Sequence, residues 1–152
     1  MKEIKAPEII TKGNTTIFLA GSIEMNTAAE WQRVIIEKLQ DKDVTILNPR
    51  RLAWDSTWVQ DISNPEFNAQ VNWELDGLLD AADIVCFYFD GQTKSPISLL
   101  ELGLALASQK KVLVFCPEKY WRHGNVEITC KRFGVEIIED DEIFVRKLFE
   151  LL

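Results

Sequence analysis

Histidine is nearly missing from this sequence. His123 stands alone, with no Cys/His cluster at metal-ligand spacing, so neither a transition-metal site nor any cofactor is expected. Cysteine is scarce as well: Cys86, Cys116 and Cys130 are an odd number and form no CxxC pair. Two of them lie inside apolar, strand-like runs, and buried thiols are the expectation. Basic residues are outnumbered, 17 to 24, for a net charge of −7. That balance argues against a polynucleotide partner, because phosphate neutralisation supplies most of such affinity, but it leaves a single nucleoside open. No apolar run approaches the ~20 residues that cross a bilayer, so no membrane partner is expected. The start, "MKEIKAPEII", lacks the apolar region and small-residue cleavage site of a signal peptide, which suggests a cytoplasmic protein. Repeats, low-complexity tracts and linkers are also absent, so residues 1–152 are expected to form one domain.

What is present alternates between two kinds of segment. Apolar β-rich runs occur at "TTIFLAG" (15–21), "DVTILN" (43–48), "DIVCFYF" (83–89), "KVLVFC" (111–116) and "VEIIE" (135–139). Helical patterns occupy about 27–40, 65–82, 96–109, 125–133 and 141–151. Continuous apolar runs suit strands covered on both faces. The alternation predicts an α/β fold, a doubly wound five-stranded parallel sheet with helices on both sides. Such sheets bind ligands beyond the carboxyl ends of their strands, where strand order reverses. The loops there hold "AGSIEMN", "NPRRLAWDSTW", "DGQTKSP" and "PEKYWRHGN". Gly21 permits a tight turn and close backbone approach, although "GSI" is not a dinucleotide fingerprint. Trp and Arg in the second loop suit stacking on, and hydrogen bonding to, a planar base; packing in a surface loop is the alternative.

Two carboxylates stand out. In "SPISLLELGLALASQ" the only charged side chain is Glu101. Ser95 as N-cap and Pro96 as first helical residue start that helix at the carboxyl end of the third strand, putting Glu101 in its second turn. The helix is apolar almost all round, so it is expected to be covered on more than one face, by the sheet and by a second subunit. An ionised carboxylate there is costly unless it is paired or hydrogen-bonded. In "PEFNAQVNWELDGLLDAAD" the predicted stripe is Phe67, Val71, Leu75, Leu78 and Ala82. Glu74 falls on its edge, while Asp76 and Asp80 point away. Two semi-buried acids near one cleft suit chemistry at a glycosidic carbon, one attacking and one managing the leaving group's proton. A loop cap or Arg partner for Glu101, and an ion pair of Glu74 with Arg50 or Arg51, are the structural alternatives. Asp76, Asp80 and Asp83 are expected to be solvated or capping.

The ordered set "TIFLAGSI", "WELDGLLDAADIVCFYF" and "SPISLLELGLALASQKKVLVF", with "HGNVEITC" as a weaker fourth piece, resembles the nucleoside 2-deoxyribosyltransferases and the related nucleotide N-glycoside hydrolases. It covers about residues 16 to 133. The resemblance implies a flavodoxin-like sheet, with Glu101 as nucleophile and Glu74 as the acid that handles the base's proton. It places Ser95 at the sugar and Asn125 as a residue that a neighbouring subunit contributes, hence a homo-oligomer. The candidate substrate-binding set is Gly21, Ser22, Trp54, Asp55, Ser95 and Asn125, with Trp54, Trp58 or Trp121 available to stack on the base. Three positions depart from the family's pattern. Phe18 replaces a tyrosine that touches the nucleophile in many members, and Ser95 replaces an aspartate, as in the hydrolase branch. Glu24 follows "GSI" where phosphate-binding hydrolases carry a basic, glycine-rich stretch, which favours a nucleoside over a nucleotide.

The implied reaction is retaining transfer of 2-deoxyribose from a nucleoside to a free nucleobase through a covalent glutamyl ester. Its rivals are a hydrolase that releases base, a nucleoside-sensing module without turnover, and an NAD-cleaving domain of TIR type.

Overall fold

A computed structural model of the chain describes residues 1–23, 28–51 and 57–152. Its centre is a parallel sheet of six strands: β1 (Lys2–Lys5), β2 (Thr16–Gly21), β3 (Thr45–Asn48), β4 (Ile84–Tyr88), β5 (Lys111–Phe115) and β6 (Ile137–Ile138). Their order is β1-β3-β2-β4-β5-β6, the flavodoxin-like order with one strand added at an edge. Five α-helices complete the fold: α1 (Trp31–Lys38), α2 (Pro65–Leu75), α3 (Pro96–Ala107), α4 (His123–Arg132) and α5 (Asp141–Glu150). Among the described residues, no helix is long and apolar enough to cross a membrane.

The apolar runs become strands because both sides of each are covered. Along β2, Ile17 and Leu19 join one core while Phe18 and Ala20 join the other. The first core packs beneath α1 and α5 through Trp31, Ile35, Phe144 and Leu148. The second packs beneath α2, α3 and α4 through Trp73, Leu102, Leu106 and Val126. All three thiols are buried, and burial pushes Cys86 and Cys116 up to about 12 and Cys130 to about 11. They are poor nucleophiles at neutral pH.

The sixth strand is the one the pattern did not reveal. In "KEIK" only Ile4 is buried, and the flanking charges suit an edge. β1 pairs with β3 in parallel, from Lys2 opposite Thr45 to Lys5 opposite Asn48. Strand order reverses between β2 and β4, which sets the topological switch point of the sheet beyond Gly21 and Tyr88.

The helix expected over 65–82 is two elements. After Leu75 the backbone widens into a π-helical turn, Asp76–Ala81, closed by the Ala82 N–H on the Gly77 carbonyl at 2.9 Å. The predicted stripe holds at Leu78 and Ala82 but not ahead of this turn. Gln70, Trp73, Gly77, Leu78 and Ala81 are buried, whereas Phe67, Val71 and Leu75 are only half-buried. A side chain is excluded at Gly77, where a Cβ would come within 2.8 Å of the buried Phe18 ring. Asp76, Asp80 and Asp83 are exposed, and Asp83 accepts the Thr16 N–H at 2.8 Å.

Candidate active site

The turn after β2 lies at the switch point. Gly21 has φ 132°, and a Cβ there would run into the Tyr88 backbone, with the Tyr88 nitrogen only 2.7 Å away. Glycine thus lets β2 and β4 stay paired one residue further, where the Ser22 N–H donates to the Tyr88 carbonyl at 2.8 Å.

Ser22 then enters a buried cluster of three hydroxyls. Its Oγ lies 2.6 Å from Thr93 Oγ1 and 2.8 Å from Ser95 Oγ, and the latter two are 2.9 Å apart. The Asp90 N–H donates to Ser22 Oγ at 2.8 Å, and the Thr93 hydroxyl donates to the Asp90 carbonyl at 3.0 Å. Asp90 itself clasps the loops. Its two carboxylate oxygens accept the Ala29 and Gln92 N–H groups, each at 2.9 Å.

Ser95 precedes α3 as expected but does not cap it with its side chain. It sits at φ 43°, ψ 54°, and its hydroxyl faces Ser22 and Thr93 instead. A left-handed serine is strained by about 1–2 kcal/mol and needs over-determined surroundings. Those are supplied by the hydroxyl cluster and by the preceding Lys94 carbonyl. That carbonyl accepts both the Tyr120 hydroxyl at 2.6 Å and the Trp121 Nε1–H at 2.8 Å.

From this fixed start, α3 carries Glu101 onto the core side, where the residue is only 9% exposed. Among the described residues, no hydrogen bond or ion pair reaches its carboxyl group. Burial, with the charge of Glu74 added to it, pushes Glu101 up to about 8. Glu74 is half-buried and its pKa is also raised by burial, opposed by a hydrogen bond from Gln70 Nε2 at 2.9 Å. The Arg alternatives for these acids find no support among the described residues. Arg51 lies over the Trp58 ring at 4.9 Å instead, and Arg51 Nε and Arg50 Nη1 are buried without hydrogen-bond partners among the described residues. Phe18 packs against Trp73, with ring centroids 6.2 Å apart, and offers the acids no hydroxyl.

The candidate residues are thus distributed unevenly. Gly21 at the end of β2 and Ser22 in the turn after it meet Ser95 at the switch point, and Glu74 and Glu101 act on one another from separate helices. Asn125 is exposed on α4. Trp54, Asp55 and Glu24 lie outside the described residues. Thr93, Asp90 and Gln70 were not anticipated. The first two belong to a polar loop without periodicity, whereas Gln70 stands one helical turn before Glu74, a spacing visible in the sequence.

A doubly wound sheet with loops gathered at its switch point, two desolvated acids on separate helices and a hydroxyl cluster at the start of one of those helices place the molecule among flavodoxin-like α/β proteins. Within that class, the chain belongs to the nucleoside 2-deoxyribosyltransferase-like family. The family model described as "Nucleoside 2-deoxyribosyltransferase like" matches residues 14–120, which include Ser22, Glu74, Ser95 and Glu101 but not Asn125. The fold is also that of a conserved protein from Enterococcus faecalis V583. Its crystal structure aligns with a TM-score of 0.65 at 16% identity, covering 91% of this chain and 99% of that one. No curated protein matches the chain.

Proposed function

We propose that the protein breaks the N-glycosidic bond of a 2′-deoxyribonucleoside and passes the sugar to a second base. The observation that carries this reading is the acid pair: Glu101 desolvated and unpaired among the described residues, with Glu74's charge acting on it. Glu101 attacks C1′ as the C1′–N bond breaks, and the departing base takes a proton from Glu74. The incoming base then attacks C1′, releases the Glu101 carboxylate and returns a proton to Glu74.

One proton shared by the pair is what this sequence requires. In the free site burial favours keeping that proton on Glu101, while Gln70's hydrogen bond favours ionised Glu74. A sugar developing oxocarbenium character next to Glu101 stabilises the carboxylate there, and the proton moves to Glu74. A missing 2′-hydroxyl eases that cation, which supports deoxyribose. The buried hydroxyls of Ser22, Thr93 and Ser95 fix the loop that begins α3, and Ser95 is the residue assigned to the sugar.

Incubation with a deoxynucleoside and a different free base is expected to yield the new nucleoside. A slow 2-fluoro-substituted deoxynucleoside should leave a sugar-sized adduct on Glu101, read by intact-protein mass spectrometry. Free sugar and base without exchange would make the protein a hydrolase. Neither adduct nor turnover would leave a nucleoside-binding module and end the proposal.

The site is completed, in this reading, by a second subunit. α3 turns Ile97, Leu100 and Leu104 outward, and α4, packed against it, exposes Ile128 beside Asn125. Apolar side chains on adjoining helices suit a partner of the same kind. Mixing inactive Glu101→Gln with inactive Asn125→Ala protein is then expected to restore turnover, since a mixed dimer holds one intact site. A monomer by sedimentation, or no recovery on mixing, would defeat it.

A further inference from the structure

Gln70 is a polar side chain in a core position of α2, only 3% exposed. Its amide nitrogen gives away both hydrogens, to the Pro49 carbonyl at 3.0 Å and to Glu74 Oε1 at 2.9 Å. The Pro49 turn is itself held. The Arg50 N–H donates to Asn48 Oδ1 at 3.0 Å, and Asn48 Nδ2 donates to Glu3 Oε1 at 2.9 Å. Turning the amide over would set its oxygen against two acceptors, so its orientation is decided by its neighbours. Among the described residues, Gln70 Oε1 is left buried without a hydrogen-bond partner, a standing cost that accompanies this orientation.

Building on the reading of Glu74 as the acid, we propose that Gln70 is a positioning residue that reserves Oε2 of Glu74 for the proton delivered to the departing base. Oε1 already accepts an amide hydrogen, and a protonated carboxyl oxygen is a much weaker acceptor than the carbonyl-type oxygen beside it. The proton therefore rides on Oε2, the oxygen that Gln70 leaves free. The same hydrogen bond opposes the burial that raises Glu74, which keeps the acid able to release its proton. A neutral amide suits this task better than an arginine, because an ion pair would hold the carboxylate charged throughout. The other charged groups on the elements packed here are Glu101 on α3, whose ionisation is tied to Glu74, Arg50 and Arg51 in the turn after β3, and the exposed acids Glu66, Asp76 and Asp80 on α2 and the π turn. Neither arginine pairs with Glu74 among the described residues, and Glu3 connects only through Asn48.

The test is a side-chain carboxyl NMR titration of the wild type and of Gln70→Met, read without substrate. In Gln70→Met the Glu74 midpoint is expected to rise by about one pH unit. The acid limb of kcat/KM for sugar transfer should rise with it, while KM stays within about twofold. In the unsubstituted protein the Gln70 Nε2 amide resonances should follow the Glu74 titration, a result that needs no variant to fold. An unchanged Glu74 midpoint in Gln70→Met, or Gln70 resonances flat through that titration, would overturn the proposal. Absence of transfer by the wild type would sink the functional reading separately, since the titration does not depend on turnover.

Discussion

Glu101→Gln is expected to melt at a higher temperature than the wild type at pH 8.5 while losing glycosyl transfer by at least about a thousandfold. The two effects have one origin. An ordinary glutamate ionises near 4.5, and in the folded protein Glu101 is pushed up to about 8 by burial and by Glu74. Between those values the folded chain holds a proton that the unfolded chain releases. This group's contribution to stability is therefore fully present below about pH 4.5, falls as the pH rises, and is lost by about pH 8. Each unit of that gap corresponds to about 1.4 kcal/mol, so the ionised carboxylate costs on the order of a few kcal/mol.

Glutamine keeps the shape and removes the charge, but it buries an amide that itself costs about 1–3 kcal/mol if unpaired. A net gain of about 1–2 kcal/mol remains, which for a chain of this size is roughly 2–8 °C in Tm. At pH 4.5 the wild-type carboxyl is neutral and the advantage should vanish or reverse. Melting curves across pH 4.5–9 check the sign. A Tm difference that does not change with pH would mean that Glu101 ionises as a surface acid does, and the nucleophile assignment would lose its physical basis. A residue that weakens the fold yet is needed for turnover is the usual trade between stability and activity.

How much of this was legible beforehand differs by element. The five strands other than β1 follow from continuous apolar runs, because two-sided burial leaves that mark on a sequence. β1 leaves a faint one, since a charged edge strand with a single buried residue, Ile4, looks like surface. Glu101 was visible as the one charge in an apolar helix, and its burial agrees with that reading. Glu74 was placed by a 3.6-residue stripe that holds at Leu78 and Ala82 but not ahead of the π turn, where Trp73 and Gln70, not Phe67 and Val71, face the core. No periodicity forecasts such a widening, in which Gly77 sits against the Phe18 ring where a Cβ would not fit. The hydroxyl cluster was the least legible. Ser22, Thr93 and Ser95 come together only once β2 and β4 are paired, and a serine ahead of a proline reads as an ordinary N-cap.

Glu74→Gln is expected to lower kcat/KM by about 10²–10⁴-fold and to change the shape of its pH dependence. In the wild type the reactive form holds one proton between the two acids, so the profile should be a bell. Its acid limb lies above the ordinary carboxyl range because burial raises Glu74. Its alkaline limb lies near 8, where the pair loses its last proton. With glutamine at position 74 there is no acid to lose, and the alkaline limb should disappear. One ionisation remains, that of Glu101, now without a neighbouring negative charge but still buried. Its midpoint should fall below 8 and stay above 4.5, and residual activity should rise through it to a plateau. The loss should also depend on the leaving base, since a base that departs without a proton has no use for Glu74. Substrates with such bases should recover much of the rate, and those that need protonation should not. A bell that survives in Glu74→Gln, or an equal loss for every leaving base, would remove Glu74 from the proton transfer and leave it a neighbour that merely raises Glu101.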